Sequence, residues 1–424
     1  MGAMTPLPDG YRIVTVPLDR KDEFRAVNHL AFAFEPDEKT SEIIPDQLEW
    51  DRTAAVERPD GTLAAVHASY DFDLPVPGGE VACAGLTWVG VRPDERRRGL
   101  LTSMIDFHFA RSLERGEAVS ALFAAEMPIY GRFGYGSVAD DVRLKIPRGA
   151  RLRDVPGSAE LTVRFDTADA DRHTDLVHTI HTAGGAGRPG WMPRSSDAMR
   201  RGRVVDPPAW RDGGESLRIV TVHDAAGEPR AYALLRRKET WADPGARYPV
   251  HVREAVALDA AAAHRLWSFV LDLDLTVEVN TGMLPADDEL LHLLVDARGA
   301  VPRFSDNLWV RLLDVPTALE ARRYSSALDV VLEVTDARLP QNAGRWRLTT
   351  GDADASGFTA RVTSTDDEPD LRLDVRELAA AYLGGRSLAA YARAGLVTEV
   401  APGTLLRAAT AFSWPVAPVC SWVF

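Results

Sequence analysis

Three consecutive arginines followed by a glycine are the first residues in this sequence whose types and spacing could do chemistry. Arg96, Arg97 and Arg98 precede Gly99, and apolar residues in helical spacing follow from Leu100. The first turn of a helix has unpaired N–H groups and the positive end of the helix dipole, so it binds phosphate. The glycine would let a pyrophosphate approach the backbone, and the guanidinium groups would supply paired donors. The alternative is that the arginines simply begin a solvated helix.

A second stretch, Ile-Tyr-Gly-Arg-Phe-Gly-Tyr-Gly at 129–136, contains a candidate proton donor. Pro128 suits the first turn of a short helix, which would fix the direction of the Tyr130 side chain. A tyrosine hydroxyl has an ordinary pKa of about 10, so at neutral pH it is protonated and can donate to a departing thiolate. The alternative for Tyr130 is an aromatic ring packed in a core.

These residues require a strand, a turn and a helix to position them. The sequence predicts a strand over Glu80–Val91, a helix over Gly99–Arg115 and a short buried strand over Val119–Ala124. A strand, a helix and a strand in this order imply parallel pairing with a crossover helix.

The rest of the chain predicts two further domains, the first beginning after a polar connector at Arg148–Pro156. The middle segment predicts a hairpin, a strand, a helix and a strand, at Leu217–His223, Ala231–Arg237, Val252–Leu258, Ala260–Leu273 and Leu275–Asn280. The last segment predicts antiparallel strands and then two short helices. These lie at Val330–Val334, Trp346–Thr349, Phe358–Thr363, Leu371–Val375, Arg376–Leu383 and Ser387–Ala394.

Composition excludes several classes of protein. The 424 residues are 46% hydrophobic and 26% charged, as in a globular protein of two or three domains. The net charge of −13 argues against nucleic acid as a partner and is compatible with cationic substrates. We expect no membrane span, and no secretory signal in Met1–Asp9. Two cysteines, Cys83 and Cys420, make neither a disulfide framework nor a zinc site, so we expect a reducing cytoplasm.

Two other patterns carry weaker signals. Gly185–Gly190 matches the dinucleotide pattern G-x-G-x-x-G, but it follows a predicted helix and Pro189 would interrupt a binding helix. We therefore expect a loop, which could cover the acceptor site. His173, His178 and His181 lie close in sequence without a cysteine, and we expect no metal site there.

The arginine–glycine turn and the tyrosine stretch resemble those of the GNAT acetyltransferases, and more closely those of the Eis (enhanced intracellular survival) family. The marks are Arg-Arg-Arg-Gly-Leu-Leu at 96–101, the stretch at 129–136, Leu-Trp-Val-Arg-Leu-Leu-Asp-Val-Pro at 308–316, and a phenylalanine at 424. The resemblance implies a mixed α+β and α/β fold. Its parts would be a catalytic GNAT domain over 1–150, a degenerate GNAT-like domain over 151–306 and a sterol-carrier-like α+β domain over 307–424. It further implies acetyl-CoA as co-substrate, no metal, and a homo-hexamer.

The resemblance also assigns site residues. Tyr130 corresponds to the general acid of the family, and the C-terminal carboxylate of Phe424 to its base. The residues expected to bind acetyl-CoA are Val89, Gly90, Val91, Arg96, Arg97, Arg98, Gly99, Leu100, Leu101, Thr102, Ala125 and Glu126. The expected contacts of the acceptor are Trp88, Phe34, Glu35 and Phe123, although ordinary core packing would also explain the three aromatic residues.

A terminal carboxylate is a weak base for this purpose. Its ordinary pKa is about 3.5, against about 10 for an alkylammonium, so direct deprotonation is uphill by several kcal/mol. We therefore expect it to anchor the ammonium group and relay the proton through water, unless burial raises its pKa. The alternative is that Phe424 is only a hydrophobic chain end in a core.

The function expected from these residues is acetyl transfer from acetyl-CoA to the primary amines of aminoglycoside-like polyamines or lysine side chains. The competing hypothesis is a non-catalytic protein that senses acyl-CoA or binds lipid through its sterol-carrier-like domain.

Overall fold

The computed structural model describes residues 5–424 except Pro36, Pro244 and the side chain of Glu38, so the first four residues of Met1–Asp9 lie outside it. Up to residue 150 the strands are β1 Arg12–Thr15, β2 Thr53–Glu57, β3 Leu63–Val76, β4 Gly79–Val91, β5 Val119–Phe123, β6 Gly136–Ser137, β7 Asp140–Arg143 and β8 Lys145–Pro147. The helices are α1 Lys21–Phe32, α2 Glu38–Ile43, α3 Leu100–Glu114 and α4 Met127–Tyr130. The strand, helix and strand expected around the arginine turn are therefore present as β4, α3 and β5.

The remaining elements follow in two groups. Between 151 and 306 they are β9 Thr162–Thr167, α5 Ala170–Gly184, α6 Asp197–Val204, β10 Arg218–His223, β11 Pro229–Arg237, β12 Trp241–Ala242, β13 Gly245–Ala246, β14 Tyr248–Ala257, α7 Ala260–Leu271, β15 Thr276–Asn280, β16 Leu284–Pro285, α8 Glu289–Leu293 and β17 Arg303–Asp306. After residue 306 they are β18 Leu308–Leu312, α9 Val315–Ala321, β19 Asp329–Thr335, β20 Gly344–Asp354, β21 Gly357–Ser364, β22 Leu371–Asp374, α10 Val375–Ala381, α11 Leu388–Arg393, β23 Val397–Glu399 and α12 Thr404–Phe412.

The first sheet has the strand order β1-β2-β3-β4-β5-β18-β6. β4 and β5 are parallel, as the crossover helix between them requires, and they pair from Cys83 with Val119 to Gly85 with Ala121. Beyond Gly85 and Ala121 this pairing ends. The carboxyl half of β4 therefore lies at an opening in the sheet.

The strand β18 is shared between parts of the chain that the sequence separates. We assigned Leu308–Leu312 to the last segment because it follows the expected boundary at 307, but it pairs antiparallel with β5 in the first sheet. Its five residues are all buried. An apolar run of this kind forms a strand in either sheet, and only the long-range pairing decides which one.

The second sheet has the order β8-β15-β14-β11-β10-β9. β10 and β11 form the expected antiparallel hairpin, and β14 and β15 are parallel with α7 as the crossover helix. The arrangement repeats that of β4, α3 and β5. The first strand in the order, β8, comes from the chain before the polar connector.

The third sheet has the order β21-β20-β19-β22-β23. The expected antiparallel pairing is correct for β19 with β20 and for β20 with β21. It is wrong for β22, which runs parallel to β19 because the chain after β21 returns across the sheet before β22 begins. Both of these central strands are largely buried.

A single apolar core joins the first sheet to the third, with members such as Val310 and Tyr382 packed in one cluster. Arg311 of β18 donates to Asp336 at 2.6 Å across this junction, and both side chains are fully buried. Among the helices of the described residues, none has the length and apolar character to cross a bilayer.

Candidate active site

The first turn of α3 has the features of a phosphate site. Gly99 caps the helix with a left-handed backbone, φ +82°, and a Cβ added there would meet open space. Three exposed arginines precede it. The guanidinium group of Arg98 donates to the buried Glu95 carboxylate at 2.7 Å and to the Tyr11 hydroxyl at 2.8 Å. Arg96 and Arg97 make no ion pair with the described residues, so their guanidinium groups are available to an anion at the helix N-terminus.

A bulge in β4 places two neighbouring residues on opposite sides of the sheet. The pairing with β3 passes from Ala68–Thr87 to Val66–Gly90, which leaves Trp88 and Val89 outside the ladder. Trp88 has φ +53°, an unusual conformation for a residue with a side chain. It packs beside Phe24, whereas Val89 contacts the clusters that contain α3 and Tyr130.

The end of β4 lies beside the opening between β4 and β5. Val89, Gly90 and Val91 lie past the point where β4 stops pairing with β5, so their backbone groups on that side face the opening. Ala125 and Glu126 are exposed in the turn that follows β5. An extended amide-bearing chain such as pantetheine fits this gap, because it can pair with the free strand edge.

Tyr130 is both a packed aromatic and a possible proton donor. Pro128 stands in the first turn of α4, as expected, and Tyr130 ends that helix with 8% of its surface exposed. Its cluster includes Leu86, Leu122 and Leu101. Burial raises the pKa of the Tyr130 hydroxyl to about 12, so the group remains protonated at neutral pH.

The neighbouring tyrosine has a different role. The hydroxyl of Tyr135 lies 2.8 Å from Ser120 Oγ, which also lies 2.8 Å from His108 Nε2. All three side chains are buried behind β5. Tyr135 is thus part of a buried polar network, which leaves Tyr130 as the candidate proton donor.

A cavity of about 560 Å³ lies on the Trp88 side of β4. Of the residues expected to contact the acceptor, Phe34, Glu35 and Trp88 line it, and so does Phe424. Phe123 lies beside Phe424, with ring centroids 5.4 Å apart. The further lining residues are Arg25, His29, Thr40, Ser41, Ile44, Pro45, Asp46, Gln47, Leu48, Tyr70, Ala209, Trp210 and Val423.

Phe424 closes one wall of this cavity from within an aromatic cluster. Its ring packs edge to face against Phe72 at 5.1 Å, Trp422 at 5.9 Å and Tyr70 at 6.3 Å. Gly85 leaves room for it, because a Cβ there would lie 3.2 Å from the Phe424 ring. Phe424 is therefore a packed hydrophobic residue and at the same time a cavity residue.

Family models match most of the chain. Acetyltransferase (GNAT) domains match residues 12–138 and 190–312, and a sterol carrier protein domain matches residues 315–421. The N-acetyltransferase Eis of Mycobacterium tuberculosis is 31% identical over 355 residues, which cover 81% of both chains. The chain belongs to the Eis family of GNAT N-acetyltransferases.

Other relatives of this Eis-family enzyme agree. An uncharacterized N-acetyltransferase of Streptomyces avermitilis is 41% identical over 371 residues, 87% of each chain. The crystal structure of Eis1 from Mycobacterium abscessus superimposes with a TM-score of 0.81 at 30% identity, covering 98% of this chain and 100% of that one. The expected fold of two GNAT domains and a sterol-carrier-like domain is confirmed. The protein is an acetyltransferase, and acetyltransferases of the GNAT type use acetyl-CoA.

The helix start in the second GNAT domain that corresponds to the Gly99 turn is unsuited to binding pyrophosphate. At the start of α7, the position equivalent to the Gly99 turn, the N-cap is Asp259, whose side chain accepts from the Ala262 N–H at 2.9 Å. A carboxylate already occupies this N-terminus and would repel a pyrophosphate. It is also paired with Arg230 at 2.7 Å.

Several cavity residues were missed by the sequence reasoning. One of them is Asp46, whose carboxylate accepts from Arg25 at 3.1 Å and from the Trp50 indole at 3.0 Å, so its position is fixed. Glu35, in contrast, is exposed. Burial and the nearby Arg25 lower the pKa of His29. Helical spacing on α1 could have signalled Arg25 and His29, which are four residues apart.

Two further cavity residues had no local signal. Trp210 reaches the cavity from the second domain, and Tyr70 reaches it from the middle of β3. Asp37, two residues after Glu35, caps α2 by accepting from the Thr40 N–H at 2.8 Å. Within the described ranges, no three His, Cys, Asp or Glu side chains are grouped as a metal site would require.

Proposed function

We propose that this Eis-family enzyme transfers acetyl groups directly from acetyl-CoA to primary amines of small polycations, such as aminoglycosides, or of lysine side chains. The observation that carries the proposal is the cavity of about 560 Å³, with Trp88, Phe34 and Phe424 as aromatic walls and Glu35 at its edge. Aromatic faces and carboxylates attract ammonium groups. The net charge of −13 favours the approach of a cation.

Acetyl-CoA would be held by the residues around the arginine turn. The N–H groups of Leu100, Leu101 and Thr102 lie in the first turn of α3 and would donate to the pyrophosphate, with Arg96 and Arg97 beside them. The N–H groups near Val89 would bind the pantetheine arm. Bound there, acetyl-CoA supplies an activated acetyl thioester.

Groups of the protein would then contribute to acetyl transfer in three ways. Backbone N–H groups at Val89–Val91 would stabilise negative charge on the carbonyl oxygen, because donors fixed in place need no reorganisation. Tyr130 Oη would donate its proton to the leaving sulfur. Trp88 and Val89 face opposite sides of β4, so the acceptor amine on one side comes within reach of the thioester on the other.

The carboxylate of Phe424 would act on the amine. A carboxyl group is ordinarily a much weaker base than an amine, so we propose that it anchors the ammonium group while the ammonium proton leaves to a water molecule beside the carboxylate. The position of Phe424 in the wall of the cavity supports this role.

The choice of acceptor is tested by CoA thiol release from acetyl-CoA with aminoglycosides, linear polyamines and lysine peptides. The cavity volume falls within the range typical of small-ligand sites, so we expect the polycations to react faster than the peptides. Faster reaction of the peptides would identify a lysine acetyltransferase instead. Absence of release with every acceptor, despite measurable acetyl-CoA binding, would contradict the proposal.

We also propose a homo-hexamer, and a location in the cytoplasm. Large apolar side chains such as Leu406 (71% exposed) and Trp241 (65% exposed) support subunit contacts. Light scattering should give about six times the chain mass of 46.4 kDa. Both cysteines are free and buried, which suits a reducing compartment.

A further inference from the structure

The last eight residues of the chain form no helix or strand, yet five of them are held by hydrogen bonds to distant parts of the chain. The indole of Trp422 donates to the Met192 carbonyl at 2.9 Å, and the N–H of Val419 donates to the Pro189 carbonyl at 3.1 Å. His181 Nε2 lies 2.7 Å from Ser421 Oγ. These contacts all come from 181–192, the end of α5 and the glycine-rich loop after it.

The backbone of Ala417 is held on both sides by an ion pair. Arg188 donates to the Ala417 carbonyl at 2.6 Å and to Asp287 at 2.6 Å, while the other oxygen of Asp287 accepts the Ala417 N–H at 2.8 Å. Arg188 and Asp287 are 99 residues apart and both belong to the second GNAT domain. The pair satisfies both backbone polar groups of one residue, which fixes the position and the orientation of the chain there.

Asn307 does the same for Cys420. Its Oδ1 accepts the Cys420 N–H at 2.8 Å, and its Nδ2 donates to the Cys420 carbonyl at 3.1 Å. Asn307 is 1% exposed and begins the return to the first sheet. From Ala417 to Trp422, the tail therefore has contacts to other parts of the chain at five of six residues.

The glycine-rich loop is shaped for this contact. Gly190 has φ +81°, and a Cβ there would lie 3.3 Å from the Val419 carbonyl. Its N–H donates to the Pro75 carbonyl at 2.7 Å, which ties the loop to β3 of the catalytic sheet. The G-x-G-x-x-G match is thus a structural loop between the catalytic sheet and the tail.

We propose that the second GNAT domain, together with Asn307 just after it, serves acetyl transfer by holding the C-terminal tail, with Arg188, Asp287 and Asn307 as positioning residues for Phe424. This inference rests on the proposed role of Phe424 in the acceptor cavity. Because the tail has no helix or strand that would fix its conformation, the position of Phe424 depends on these hydrogen bonds to the tail backbone. An error of about 1 Å in a reacting group can cost about a hundredfold in rate.

The test uses Arg188→Ala and Asp287→Asn in the full chain, with Arg188→Lys as the conservative variant. Arg230→Ala is the matched control, because it breaks an ion pair of the same type at 2.7 Å on the same domain, away from the tail. Amide hydrogen exchange of the peptide that contains 415–424 should be faster in Arg188→Ala and Asp287→Asn, partly restored in Arg188→Lys, and unchanged in the control. Unchanged exchange in the first two variants would overturn the inference.

Kinetics then separate positioning from general destabilisation. We expect Arg188→Ala to lower turnover about tenfold and raise the KM for the amine, while the Kd for CoA is unchanged. In a chain that lacks Phe424, the same substitution should have no further effect on turnover, since the group that it positions is gone. An equal loss in both backgrounds, or unchanged turnover despite faster exchange, would refute positioning. Full activity of the shortened chain would contradict the proposed role of Phe424 and, with it, the inferred service to acetyl transfer; faster exchange in Arg188→Ala would then show only that these residues hold the tail.

Discussion

The hydroxyl of Tyr130 lies in an apolar cluster that raises its pKa to about 12, so it keeps its proton well above neutral pH. We predict that Tyr130→Phe lowers kcat about a hundredfold, the typical contribution of a general acid, with little change in the Kd for acetyl-CoA. In the unmodified enzyme, the pH profile of kcat should show no loss on its alkaline side below about pH 10, because the donor stays protonated there. Stopped-flow thiol release and calorimetric titration measure these quantities.

Tyr135→Phe is the control for this prediction. It removes a hydroxyl from the neighbouring ring, 5.8 Å away, and leaves Ser120 with one partner fewer, while the contact of Ser120 with His108 remains. It should lower the Tm while kcat stays within about threefold of the unmodified enzyme. Normal turnover of Tyr130→Phe would remove Tyr130 from the mechanism.

The terminal residue gives a second prediction at this scale. Two extra residues after Phe424 should leave its ring among Phe72 and Tyr70 but move the carboxylate away from the cavity wall. We expect the KM for the amine to rise and turnover to fall about tenfold or more in steady-state assays. Phe424→Leu, which keeps the carboxylate and trims the ring, should lose less. An extended chain with full activity would count against the carboxylate.

Among the elements, the N-terminus of α3 is the one that we propose binds the pyrophosphate of the cofactor. Gly99→Ala would place a methyl group in the open space before this helix and strain a backbone at φ +82°. We predict a Kd for CoA about tenfold higher, measured by calorimetry, because the pyrophosphate loses its close approach to the N–H groups.

α12 offers a matched control for this change. Gly403 caps that helix with φ +85° and ψ −2°, nearly the angles of Gly99, and open space also surrounds it. Gly403→Ala should cost the same strain, about 1 to 2 kcal/mol, yet leave the Kd for CoA unchanged. Equal effects of the two substitutions on CoA binding would mean that strain, and not access to the phosphate site, explains the loss.

The molecule as a whole should be sensitive to acid. Burial lowers the pKa of His67 to about 4 and that of His181 to about 3, and it lowers the pKa of His108 as well. The unfolded chain binds protons at these residues below about pH 6.5 and the folded chain does not, so stability falls as the pH drops from about 6.5 towards 4. We predict a falling urea midpoint across this range.

His67→Gln should make that fall less steep, because it removes one group that titrates only on unfolding. His292→Gln, at an exposed position, should not change the slope. A urea midpoint that stays constant between pH 6.5 and 4.5 in the unmodified protein would show that these histidines do not govern its stability in acid.

The proposed phosphate turn and the proposed proton donor could be named from the sequence because each is built from adjacent residues. Arg96 to Gly99 and Pro128 to Tyr130 are held by a helix start within a few positions, so residue type and spacing were sufficient. The hairpin and the crossover helix of the second domain were predictable for the same reason. The resemblance to the Eis family added Phe424, which no local pattern indicates.

The tertiary structure alone decided which distant residues meet. β18 completes the first sheet from beyond the second domain, β22 runs parallel to β19, and Trp210 enters a cavity built mainly by the first domain. The glycine-rich loop meets a tail more than 220 residues later in the chain, where Arg188 contacts Ala417. Periodicity and propensity describe neighbours along the chain, whereas these contacts depend on burial and pairing across the whole molecule, which no local pattern encodes.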